Sequence, residues 1–194
     1  KKYRQKKDLI ILFSTFILLF SGLLIIKNHD DFSYYHFPYT YYLTQHTLSF
    51  GIGQFGHGFR TQSSIFYLNS LFYLPFAKYY LFNIYYILVI GFANIILFNR
   101  VIADLPKSLN KVGKINYIKY LSLISFVFIN IFFYRISEHG TDRSAQILII
   151  ILIIELLNLN YQKKFELINL SNIYLISALI ISIKAFFILY TVFI

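Results

Sequence analysis

Residues 79–99 read YYLFNIYYILVIGFANIILFN, a run without a single charge. A helix needs about 20 mostly apolar residues, at about 1.5 Å each, to cross the hydrocarbon of a bilayer. This run has that length. A second uncharged run, LIILFSTFILLFSGLLII at 9–26, comes before it. Between the two lies a polar island that opens NHDDFSYYHFP at 28–38 and continues to Arg60. Adjacent carboxylates, several histidines, a tyrosine cluster and a glycine-rich segment share this loop, the natural place for chemistry in so apolar a chain.

Composition points to the same solvent. Hydrophobic residues make up 58% of the chain and charged residues 13%, against roughly a quarter charged in a soluble domain; mean hydropathy is +0.62. The net charge of +10 would suit nucleic acid, but the cations cluster at the ends of apolar runs, where membrane topology accounts for them. Nucleic acid is therefore excluded as a partner. The absence of cysteine excludes disulfides, a thiol nucleophile and cysteine-ligated metals. With no methionine and an apolar last stretch, 1–194 is expected to be a single transmembrane domain of a longer protein. Richness in Ile, Lys, Asn, Phe and Tyr resembles the bias of an AT-rich bacterial genome.

The pattern predicts an all-α, multipass transmembrane helical bundle of about five spans, near 9–27, 79–99, 115–134, 145–160 and 170–190. The first is read as an uncleaved span rather than a signal peptide, since the run is long and no small-x-small cleavage site follows. A shorter apolar stretch, 64–76, ends at Pro75 and is expected as an interfacial or re-entrant helix. Counting lysine and arginine orients the bundle. With the N-terminus cytoplasmic, twelve cations lie inside: Lys1, Lys2, Arg4, Lys6, Lys7, Arg100, Lys107, Lys111, Lys114, Lys119, Lys163 and Lys164. Four lie outside, namely Lys27, Arg60, Arg135 and Arg143, with Lys78 and Lys184 near the boundaries. All five histidines and Asp30, Asp31, Glu138 and Asp142 then face outward, in loops at 28–63 and 135–144. The expected location is the bacterial cytoplasmic membrane, with the functional face outside it.

Asp30 and Asp31 can serve as a general base or hold a divalent cation, or simply cap a helix. In a helix over 31–36, Asp31, Tyr34 and Tyr35 would share a face, and Pro38 would break it. The stretch 39–47 reads as an amphipathic helix whose tyrosines, Tyr39, Tyr41 and Tyr42, suit the interface. The run from Gly51 to Gly56 spells G-x-G-x-x-G without the βαβ context of a dinucleotide site. It could instead bare amides to a lipid phosphate beside Arg60, or be a plain connector. RISEHGTDR at 135–143 packs five ionisable side chains between apolar runs, either salt-bridged together or used. Lys184 interrupts the last run and either snorkels or meets a lipid-linked phosphate. Glu155 is assigned no role, and the sequon at Asn169 falls on the cytoplasmic side. Histidines beside carboxylates permit a divalent cation, though no spacing demands one.

A first span followed by an outer Asp and then D-x-x-x-Y-H (Asp31, Tyr35, His36) resembles the GT-C superfamily of membrane glycosyltransferases. GFRTQSSIFYLNSLFYLP at 58–75 and EHGTDRSAQIL at 138–148 are similar to a bacterial group of GT-C-like multipass proteins. The resemblance implies sugar transfer from a polyprenyl-phosphate donor to an extracytoplasmic acceptor during envelope glycan assembly. It makes Asp31 the catalytic carboxylate, with Asp30 as fallback and Asp142 or Glu138 as the second acid. Tyr35 and His36 would contact substrate, while Arg60 or Lys184 would stabilise the departing phosphate. Two rivals are a glycolipid or anion transporter or flippase, and a non-catalytic scaffold of an envelope assembly complex.

Overall fold

A computed structural model of the chain describes residues 2–21, 23, 29–47, 49–103, 117–162 and 167–193. Lys1, Lys27, Asn28, Lys107, Lys111, Lys114, Lys163 and Lys164, which enter the cation count and the first loop, lie outside the described residues. The described residues are helical throughout, apart from loops and one isolated bridge between Leu74 and Lys78. Seven α-helices follow in order: α1 (Lys2–Ser21), α2 (Phe37–Gln45), α3 (Ser64–Ser70), α4 (Ile84–Ala103), α5 (Tyr117–Phe132), α6 (Asp142–Gln162) and α7 (Leu167–Ile183). A π-helical turn, Phe32–His36, leads into α2, and a 3₁₀ segment, Ala185–Phe193, follows α7. Tyr79–Ile102 is long and apolar enough to cross a membrane; shorter apolar helices cover Asp8–Leu18, Tyr117–Phe132 and Leu170–Ile183.

The centre of the bundle is α6, which packs against α4, α5 and α7. Ala145, Ile147, Leu148, Ile151, Leu152 and Ile154 are all buried, so this helix is apolar over most of its circumference because helices cover it there, and the stripe at Gln146, Ile153 and Asn160 is left exposed. Serines tolerate the apolar helices by bonding back to their own turn: Ser122 Oγ donates to Ile118 O at 2.8 Å, and Ser177 Oγ to Ile173 O at 2.8 Å. Two polar contacts fix how helices face one another. Asn94 of α4 and Asn130 of α5 exchange amide hydrogen bonds at 3.2 and 2.7 Å. Toward one end of the bundle, Arg100 of α4 forms an ion pair with Glu155 of α6. Glu155 therefore has a partner that the sequence reading did not foresee. An unpaired carboxylate among these side chains would be costly, which gives the pair its physical reason.

Several expectations shift. Pro38 does not break the turn: it occupies the start of α2, where its missing N–H costs nothing. Tyr39 is 1% exposed and packs on Phe59 and Phe66 at ring distances of 5.4 and 5.3 Å, so it belongs to the core and not to an interface. The apolar stretch 64–76 is helical only to Ser70, with Ile65 and Phe66 buried and a tight turn beyond. Asp142 and Arg143 open α6 instead of lying in a loop. The last apolar run is not one helix, because α7 stops at Ile183 and the chain tightens into the 3₁₀ segment after Lys184.

The Asn94–Asn130 pair yields a double-mutant test. Asn94→Leu and Asn130→Leu should each lower unfolding stability in detergent by about 1 kcal/mol. The double variant should cost less than the sum, because neither amide is then left unpaired. Strict additivity would show that the pair is not coupled.

Candidate functional site

Three parts of the chain meet at the end of the bundle opposite the Arg100–Glu155 pair: the π-turn before α2, the loop before α6, and the break after α7. The π-turn closes with Phe37 N–H donating to Phe32 O. Its i→i+5 geometry widens the turn, so the α-helical face of Asp31, Tyr34 and Tyr35 does not form. Tyr34 turns outward while His36 turns in, to 2% exposure. The His36 ring lies 4.3 Å from that of Tyr35 and 5.6 Å from that of Phe66. Neither ring nitrogen finds a partner among the described residues.

Two glycines close on this pair from different loops. A β-carbon on Gly140 would stand 2.5 Å from His36 Cε1 and 2.6 Å from Nε2, and Gly140 already has φ +42°. A β-carbon on Gly58 would strike Tyr35, 2.7 Å from its Cγ. The two backbones can approach only because these positions lack side chains. The close backbone approaches at Gly58 and Gly140 and the capping role of His139 were not legible in the sequence, where Gly58 stood out only as a phosphate contact beside Arg60. His139 is wholly buried and its Nε2 donates to Phe133 O at 2.6 Å. It thereby satisfies a carbonyl at the end of α5 that has no helical partner.

Electrostatics ties the loops together. Burial, then the negative charges of Asp31 and Asp142, push the Tyr35 phenol up to about 12. Burial lowers His36 to about 4, the carboxylates of Asp31 and Asp142 pulling upward and His29 downward. Both carboxylates thus lie close enough to act on the same Tyr35–His36 pair. The Asp31 side chain is 55% exposed, with His29 Nδ1 at 3.8 Å. That nitrogen accepts from the Asp31 amide at 3.2 Å. Asp142, at the N-terminus of α6 where a negative charge is favoured, forms an ion pair with Lys184.

The other candidates have different duties. Glu138 is nearly buried and is gripped from both sides, by Arg135 at 2.8 Å and Arg143 at 2.6 Å. Burial alone would raise its carboxyl, but the Arg135 hydrogen bond and the two arginine charges more than offset this and hold it low. It is a strut rather than a base. Arg60 Nε donates to Gly53 O at 3.1 Å, and no ion pair joins Arg60 to Asp31 or Asp142 among the described residues. The glycine run spends amides on its own turns, Gln54 N–H to Gly51 O at 2.9 Å and Phe55 N–H to Ile52 O at 3.0 Å. Asp30 contributes its carbonyl to Ser33 Oγ at 3.0 Å. Among the described residues no three His, Asp or Glu side chains gather as a metal-ligand set. Comparison of the chain with family models, with curated proteins and with solved structures finds no match.

Gly140→Ala should destabilise the fold by about 1–3 kcal/mol, from strain at positive φ and the clash with His36. Adding His36→Ala should recover part of that loss in thermal unfolding, whereas no recovery would place the strain elsewhere. Acid should also loosen this end. His36 and His139 are both lowered to about 4, so the unfolded chain takes up protons near 6.5 that the folded chain refuses. Stability is then full above about pH 7 and falls as pH drops from about 6.5 toward 4. His36→Leu should flatten that slope in unfolding midpoints measured across the range, and an unchanged slope would remove His36 from it.

Proposed function

We propose that the chain is a multipass membrane protein with its N-terminus in the cytoplasm. We further propose that its loop end is the reaction centre of a GT-C-like glycosyltransferase using a polyprenyl-phosphate sugar. The membrane reading is supported by Leu123, Ile124, Val127, Phe128, Ile131 and Phe132 of α5, an apolar face left exposed that lipid would cover. The observation that carries the catalytic reading is that Gly140 seats on the His36 ring, which brings the start of α6 at Asp142 and the turn that follows Asp31 to one end of the bundle.

In this scheme Asp31 is the general base, since its carboxylate is half open to solvent and, among the described residues, is paired with no lysine or arginine. It takes the proton of an acceptor hydroxyl as that oxygen bonds to the anomeric carbon. The anomeric C–O bond to the carrier breaks, and the phosphate leaves with the electron pair. Neutral His36 adds no positive charge there, and the protonated Tyr35 phenol adds no negative one. Lys184 holds Asp142 at the start of α6 and, with Arg143, offers positive charge to the departing phosphate. Arg60 has no part in this arrangement.

Asp31→Asn in the full-length protein should reduce transfer from a polyprenyl-phospho-sugar by about 10²-fold or more while expression and thermal unfolding stay unchanged. Unaltered turnover with intact protein would remove Asp31 from the reaction. The transporter reading draws its support from the Arg100–Glu155 pair between two helices. It requires glycolipid or anion flux into proteoliposomes that Arg100→Gln abolishes and Asp31→Asn spares.

A further inference from the structure

The turn between α3 and α4 is built to present apolar side chains outward. At its base, Asn69 Oδ1 accepts from Tyr85 N–H at 3.2 Å, stapling the end of α3 to the start of α4. Within it, Ala77 N–H donates to Leu74 O at 3.1 Å and Lys78 N–H to the same oxygen at 2.6 Å. Lys78 has φ +45°, the one positive-φ residue other than glycine among the described residues. Such a conformation costs about 1–3 kcal/mol and persists only where the surroundings impose it. Beneath the turn lies an aromatic layer: Tyr73 on Phe82 at 6.1 Å, Phe82 on Phe37 at 5.9 Å, and Phe37 on Tyr79 at 5.5 Å. A well-supported turn therefore holds Leu71, Phe76 and Tyr80 at 73%, 86% and 70% exposure.

Connectivity says what lies beside these side chains. Phe76 stands three residues before the membrane-length stretch Tyr79–Ile102, so it cannot be far from the boundary at which that stretch enters lipid. Charge says more. Lys78 is the one charged residue between Arg60 and Arg100. A lone ammonium set among exposed Leu, Phe and Tyr is the composition of a membrane interface, where rings enter the acyl boundary and the cation meets phosphate.

We propose that the 71–80 turn is a lipid anchor. Leu71, Phe76 and Tyr80 enter the headgroup–acyl boundary of the adjoining leaflet, and Lys78 pairs with anionic phospholipid headgroups. The anchor fixes the height of the loop end, and with it the Asp31–His36 turn, above the bilayer. This rests on the membrane reading given above but not on the glycosyltransferase reading.

The chain has no tryptophan, so one introduced indole reports alone. Phe76→Trp and Ile124→Trp, each in the full chain, are reconstituted into phosphatidylcholine–phosphatidylglycerol vesicles with bromine placed near either the headgroup end or the tail end of the acyl chains. Phe76→Trp should emit at blue-shifted wavelength and lose most of its emission to headgroup-end bromines, while Ile124→Trp, on the exposed face of α5, should lose more to tail-end bromines. In the Phe76→Trp background, Lys78→Gln should remove the additional blue shift that phosphatidylglycerol gives over pure phosphatidylcholine. Water-like, unquenched emission from Phe76→Trp beside a quenched Ile124→Trp would overturn the anchor and leave the membrane reading standing. If both stay unquenched, the anchor falls together with the membrane reading.

Discussion

The seating of the His36 ring against the Gly140 backbone is the contact on which the loop end depends. It joins a turn that follows α1 to a loop that precedes α6, and it forms because Gly140 has no β-carbon to fill the space the imidazole occupies. Once that contact is made, neighbouring positions follow with little freedom. Asp142 begins α6 immediately beyond Gly140 and Thr141, and Asp31 begins the π-turn that ends at His36. Both carboxylates are thereby carried to the same pair of rings.

Charge is scarce in this chain, and several of the charges that lie between packed elements are matched. Glu155 meets Arg100, Glu138 meets two arginines, and Asp142 meets Lys184. In surroundings of low dielectric an unmatched charge is heavily penalised, while a matched one chiefly restricts how its two elements can be arranged. The Asn94–Asn130 exchange acts in the same way between α4 and α5. Asp31 stands apart from this pattern: exposed, close in the chain to the buried His36, and paired with no lysine or arginine among the described residues. That contrast, more than its place in a short sequence pattern, distinguishes it from Glu138, whose oxygens are both engaged.

The all-helical architecture was legible in the chain because it rests on one-dimensional information. Long uncharged runs such as 79–99 form helices wherever water is excluded, since only internal hydrogen bonds can satisfy the backbone there. Polar stretches do separate the long apolar helices, and of the candidate residues Asp31, Tyr35, His36, Asp142 and Lys184 come from segments that gather at one end of the bundle. The limits of elements were less legible. The 64–76 stretch is uncharged and mostly apolar yet turns after Ser70, because Asn69 is bonded to the start of α4 and Lys78 closes the turn. The run after Leu170 breaks at Lys184, whose side chain is drawn to Asp142.

Composition and hydropathy by themselves determined that this protein is helical, which runs are apolar enough for lipid, and which loops hold its ionisable groups. These are sums over neighbouring residues, and neighbours in sequence remain neighbours in space. Tertiary structure alone decided that Tyr39 is core and not interface, that Glu138 is a strut, that Arg60 folds back on Gly53, and that Gly58 and Gly140 must be bare. Each of these depends on a partner brought close by packing between distant segments. The meeting of Asp31 and Asp142 around Tyr35 and His36 belongs to the same class, since no local pattern records which two loops will share one end of a bundle.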